Sequence, residues 1–182
     1  YYDPSVTISP SDIKLTDNGT KTEGGVTYHY YSFTMGTQNV IITGTAKKYP
    51  IVSFSNNNYC TMTVNKRSAD GKTLSQLSNN SVVRPGETIE VTLRLKENCH
   101  SLEFTGSYAD KFTHSGDTWT YVVQQGDANQ TIAFAGAAKE KPYITFGSIS
   151  ACSVTVNGTA VAAGGKLYVE KGQVLTVYLK ND

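Results

Sequence analysis

The sequence predicts an all-β chain built as two tandem antiparallel β-sandwich repeats. Three observations predict it: an internal duplication, apolar side chains that alternate with period two, and turn residues at short intervals. Residues 39–65 align without gaps on 131–157, an offset of 92. Matched identities include Gly44/Gly136, Ala46/Ala138, Lys47/Lys139, Pro50/Pro142, Phe54/Phe146, Cys60/Cys152 and Asn65/Asn157. Further on, Arg84-Pro85-Gly86 before EVTLRLKEN matches Glu170-Lys171-Gly172 before TVYLKND at an offset of 86, so the second copy is six residues shorter. Upstream, Tyr31-Ser32-Phe33 corresponds to Tyr121-Val122-Val123, with Gly36 and Gly126 following at the same spacing.

In the more complete copy each element can be read in order. Ile51–Phe54 is a short apolar run. Tyr59–Asn65 alternates, with Cys60, Met62 and Val64 on one face, and a polar loop carrying Gly71 follows. Thr88–Leu95 alternates again through Ile89, Val91, Leu93 and Leu95. Ser101–Thr105 is brief, Trp119–Val123 turns Trp119, Tyr121 and Val123 inward, and Gln130–Ala135 closes the set. Pro85-Gly86, Ser115-Gly116 and Gln125-Gly126 mark the turns. No segment holds a 3.6-residue period, so each unit reads as six strands without helices. A unit of about 90 residues buries only ~60–65% of its unfolded surface, so each is modestly stable alone.

Composition bounds the function. Of 182 residues, 38% are hydrophobic, enough for packed cores, and only 17% are charged. Ser, Thr and Asn fill the difference, which suits exposed strands and turns. A formal net charge of +1 gives no footprint for nucleic acid and no polybasic patch for a membrane. No apolar run approaches the ~20 residues of a membrane span. The opening Tyr1-Tyr2-Asp3-Pro4 lacks the apolar stretch of a signal peptide, so an export signal is expected outside this chain.

Two stretches carry a family resemblance. Tyr31-Ser32-Phe33-Thr34-Met35 followed by Asn39-Val40-Ile41-Ile42-Thr43 resembles the closing motif of bacterial cell-surface tandem β-repeats, the divergent InlB-B-like and Ig-like repeats of Gram-positive surface proteins. Cys60-Thr61-Met62-Thr63-Val64-Asn65 and Pro85-Gly86-Glu87-Thr88 resemble the other half of that repeat. The chain departs from the family at Gly36, where Pro is usual, and at Gln124-Gln125-Gly126, where apolar residues are usual. The resemblance implies Ig-like sandwiches and an extracellular or cell-surface-anchored location. It also implies a role in stalks, adhesins or accessory regions of wall-bound enzymes.

The repeat can be cut in two frames. One gives whole units at 1–98 and 99–182, and it is preferred because half a sandwich exposes open edges and a bare core. The family frame gives a half unit at 1–47, a full unit at 48–139 and a half unit at 140–182. In that frame the end halves are expected to complement each other between molecules and build a filament.

Candidate chemistry is sparse. Cys60 and Cys99 read either as a disulfide closing a loop of about 40 residues or as buried free thiols, with Cys152 left single in the first case. No CxxC or HxxxH spacing suggests zinc, and no cofactor is expected. Cys99 and His100 are neighbours on an extended segment, so they point to opposite faces and make a poor dyad. His29 is in phase with Tyr31 and Phe33 and reads as half-buried. The polar loop Asp110–Asp117 reads as a solvated hairpin. The 15 carboxylates are scattered, and no P-loop, GxSxG or EF-hand motif occurs. Tyr28 and Tyr30 project from the face opposite His29 and are the candidate ligand-binding pair, a platform on which sugar rings could stack. Trp119 aligns with His29 and is assigned to the core.

The expected function is therefore a non-catalytic structural or adhesive stalk module of a secreted or cell-surface bacterial protein. The alternative is a carbohydrate-binding module of a secreted glycan-active protein. Expected partners are neighbouring repeats of the same protein and a surface glycan or partner protein, without nucleic acid or membrane insertion.

Overall fold

The computed structural model describes residues 2–181, and the side chains from Pro4 onward. Tyr1 and Asp182, the outer bounds of both sequence frames, lie outside the described residues. The described residues are all-β, with two short 3-10 turns and no α-helix.

The strands fall into three groups, and every pairing among the described residues stays inside its group. The first comprises β1 (Tyr2–Ser9), β2 (Thr16–Glu23), β3 (Val26–Ser32) and β4 (Ile41–Lys47), with β1 antiparallel to β4 and β2 antiparallel to β3. The second begins with β5 (Ile51–Asn56), β6 (Cys60–Arg67), β7 (Leu74–Gln76), β8 (Ser81–Val82) and β9 (Thr88–Leu95). It continues through β10 (Cys99–Thr105), β11 (Thr113–Ser115), β12 (Thr118–Val122) and β13 (Thr131–Glu140). Its two sheets have the orders β10-β13-β5-β8 and β11-β12-β9-β6-β7. The third comprises β14 (Tyr143–Thr145), β15 (Cys152–Val156), β16 (Thr159–Val161), β17 (Lys166–Tyr168) and β18 (Val177–Asn181), paired as β14-β17 and β16-β15-β18.

The middle group holds the main core, in an arrangement consistent with a β-sandwich. Val52, Ile132 and Phe134 from one sheet meet Val64, Ile89, Val91, Leu93 and Tyr121 from the other. Phe54, Phe104, Phe112 and Trp119 fill the space between, with Phe104 stacked on Trp119 at 5.1 Å. The alternation of β9 and β13 explains this placement, because Ile89, Val91 and Leu93 on β9 and every second residue of β13 from Ile132 to Ala138 are buried, while Leu95 at the end of β9 is exposed. Phe104, Phe112 and Tyr121, which follow Asn98, pack in one core with Val52, Val64 and Val91, which precede it. One pairing also departs from the antiparallel expectation. β13 runs parallel to β5, from Thr131↔Ile51 to Gly136↔Asn56. The last strand of the group returns beside the first through a long crossover, which parallel pairing requires.

The sequence repeat is preserved at the level of register. Cys60, Met62 and Val64 on β6 face Leu95, Leu93 and Val91 on β9. Their counterparts Cys152, Val154 and Val156 on β15 face Asn181, Leu179 and Val177 on β18. Ile51↔Val82 likewise matches Tyr143↔Tyr168. The first group repeats the second half of the middle one. Val6↔Gly44 matches Phe104↔Gly136, and the register shift between Tyr2 and Ser5 recurs between His100 and Glu103. The registers of β1–β4 thus repeat those of β10–β13, and the registers of β14–β18 repeat those of β5–β9.

Two local features show how divergent sequence keeps this geometry. The turn at Arg84 places Gly86 at φ 87°, and the Glu87 carboxylate accepts the Arg84 N–H at 2.7 Å. In the second copy Gly172 stands at φ 83°, and the Gln173 side-chain carbonyl accepts the Glu170 N–H at 3.0 Å. Left-handed glycine and the oxygen acceptor are what the turn requires, so Pro85 and Glu87 could be replaced. The shortening of the second copy lies mainly in its hairpin. The β6–β7 loop spans residues 68–73, whereas β15 and β16 join through Asn157-Gly158, both at positive φ, a tight turn suited to paired strands.

Candidate functional site

The candidate aromatic pair lies on β3. Tyr28 and Tyr30 are 47% and 38% exposed, and the Lys21 amine sits 5.9 Å from the centre of the Tyr30 ring. Tyr28 stands at a cleft of about 750 Å³ that is also lined by Pro4, Val6, His29, Gly44 and Tyr49. His29 is exposed rather than half-buried. Its counterpart Trp119 is held by Phe104 and by β9, and no strand of the first group takes the place of β9.

Cys60 and Cys99 are buried, Cys152 is half-buried, and all three are free thiols. Burial pushes the Cys60 thiol up, and the Cys99 sulfur adds to that direction, so the two lie within electrostatic reach. A buried thiol with a raised pKa is a poor nucleophile. The 110–117 segment is a solvated hairpin only in part: Asp110 and Lys111 lie in a 3-10 turn, Phe112 is buried in the core, and the exposed β11–β12 hairpin begins at Thr113, with the His114 ring stacked on Trp119 at 4.2 Å. Among the described residues, no group of three or more His, Cys, Asp or Glu side chains is placed to hold a metal.

Sequence reasoning did not single out Asp127. This carboxylate is buried and accepts hydrogen bonds from the Tyr108 hydroxyl at 3.1 Å, the Tyr121 hydroxyl at 2.7 Å and the Gln124 N–H at 2.7 Å. Desolvation, then the bond to Asp127, raises the pKa of both tyrosines. The cluster fastens the Gln125–Asp127 turn beneath β12, and its acceptors are committed to the fold.

A second polar cluster sits where β13 leads into β14. Glu140 accepts from the Lys166 amine at 2.8 Å and from the Tyr168 hydroxyl at 2.8 Å. The lysine bond, then the tyrosine bond, holds the Glu140 carboxyl below its usual range. Lys141 pairs with Glu170 at 2.6 Å alongside. These bonds tie β17 and the residue two beyond it to the end of β13 and to Lys141.

What the halves leave open is more pronounced than any polar site. In the middle core Phe134 is 3% exposed, whereas its counterpart Ile42 is 54% exposed. Val91 is fully buried, whereas Val177 is 50% exposed. Each of these open faces carries the apolar pattern of a core position. Comparison with family models, with curated proteins and with solved structures returned no match.

Proposed function

We propose that this chain is a non-catalytic, load-bearing module of a secreted or cell-surface stalk, built from tandem Ig-like sandwich repeats with a full unit at 48–139. The observation that carries this reading is the parallel pairing of β5 with β13, the first and last strands of the middle group. Tension applied along the chain draws β5 toward its start at Ile51 and β13 toward its end at Glu140. Parallel neighbours are then pulled in opposite directions along one axis. Their hydrogen bonds are loaded together in shear instead of being peeled singly. Supporting it further are the recurrence of one register along the chain, the polar ties at the Glu140 junction, and the resemblance to surface repeats.

Single-molecule pulling tests this reading. With handles at the chain ends, the middle group is expected to give one extension step of roughly 300 Å, since each residue spans ~3.3–3.6 Å when extended. Its unfolding force is expected to exceed that with handles at Asn57 and Lys141, which sit at one end of the β5–β13 pair and peel it. Equal forces in the two geometries would contradict load-bearing by this ladder.

A second reading, carbohydrate binding, is favoured by the exposure of Tyr28 beside a cleft. A glycan array tests it. A bound glycan whose signal is lost in Tyr28→Ala would favour this reading over the purely structural one.

A further inference from the structure

We propose that the open face of β1–β4 is a docking site for β14–β18 of a second copy of this chain, giving head-to-tail association. The inference stands on register and burial and does not depend on the stalk reading.

The middle core shows what each face lacks. There, β10–β13 and β5–β9 are joined at two seams, β13 parallel to β5 and β12 antiparallel to β9. β4 is the counterpart of β13 and β3 of β12, yet among the described residues neither has a strand on its outer side. β14 is the counterpart of β5 and β18 of β9, and their outer sides are equally open. The two halves therefore present the two sides of a joint that the same chain already makes once.

Transferring the observed register fixes the docked geometry. Phe134↔Phe54 becomes Ile42 opposite Phe146 of the second copy. Trp119↔Val91 becomes His29 opposite Val177, and Thr118↔Thr92 becomes Tyr28 opposite Tyr178. Docking would extend both sheets at once, cover Val177 and Leu179, and pair strand edges that otherwise stay open. It is heterologous, so copies can add at either end.

Gly44 supplies a selective probe. A Cβ built on its counterpart Gly136 would meet the Leu93 side chain at 2.5 Å and the Met62 side chain at 2.9 Å, because the opposing half lies against it. A Cβ on Gly44 meets nothing within 4 Å. Gly44→Leu is therefore tolerated by the fold and blocks the docked half, where Leu179 and Val154 of the second copy take the places of Leu93 and Met62. Leu179→Asp disables the other face by placing a carboxylate in the joint.

The test is sedimentation velocity of the full chain over rising concentration, with the folded middle core checked by near-ultraviolet circular dichroism. The unaltered chain is expected to rise in mass from monomer to dimer and larger species. Gly44→Leu and Leu179→Asp are each expected to weaken self-association on the order of a hundredfold. A mixture of the two variants is expected to form dimers and nothing larger, since one intact face remains on each. A chain that stays monomeric throughout would overturn the proposal. So would variants that self-associate as well as the parent, or a mixture that behaves as the separate variants do.

Discussion

Leu93 is fully buried between the two sheets of the middle core, and Leu179, its counterpart in the same strand register, is 71% exposed. Equivalent chemistry in equivalent backbone thus meets two environments, and the difference is whether the opposing half is present. The consequences can be measured position by position.

The glycines give the first comparison. Gly136→Val forces side-chain volume into Leu93 and Met62, and overpacking of this kind costs about 1–3 kcal/mol. Gly44→Val is expected to leave the urea midpoint of the monomer unchanged. Urea melts followed by far-ultraviolet circular dichroism, which reports all three strand groups, check both, and equal destabilisation would contradict the open face.

Asp127 is the second. Asp127→Ala strands the Tyr108 and Tyr121 hydroxyls in a buried setting and removes the bond to the Gln124 N–H. A loss of about 3 kcal/mol is expected from unsatisfied buried donors. The double variant with Tyr121→Phe should lose less than the sum of the singles, because the groups share one network.

The raised pKa of Tyr121 sets a pH dependence. The folded state holds the phenolic proton more tightly than the unfolded chain, whose tyrosines titrate near the usual ~10. The contribution is therefore whole below about pH 10 and is lost as pH rises from there toward the folded value. Urea midpoints should hold from about pH 7 to 9 and fall above pH 10. The fall should be shallower in Tyr121→Phe, and an identical slope would sink the assignment.

Thiol reactivity reports the cysteines. Cys152 is half-buried, whereas Cys60 and Cys99 are buried. In the dilute folded chain a maleimide is expected to label Cys152 first. Three thiols should be counted in denatured, unreduced protein. A single reactive thiol, mapped to Cys152, would instead establish the Cys60–Cys99 bridge.

Much of this organisation is legible in the sequence. The offsets of 92 and 86 are the spacings that the strand registers repeat, and the inward faces of β9 and β12 follow from simple alternation. What escaped the sequence is non-local. His29 reads as half-buried from its phase with Tyr31, but phase says only which face a side chain takes, not whether another sheet covers that face. The parallel β5–β13 seam joins residues about 80 apart, and no local pattern encodes it. Asp127 was hidden because its partner Tyr108 lies on a different turn.

Hydrogen exchange by mass spectrometry tests the central claim most directly, that the middle group has a buried core while the equivalent positions of the flanking strand groups are exposed. At dilute concentration, slow exchange is expected in segments 88–95 and 131–138, with fast exchange in their counterparts 174–181 and 39–46. Raising the concentration should slow the counterparts selectively. Equal protection of both sets in the dilute monomer, or two protected blocks divided at Asn98, would contradict the account.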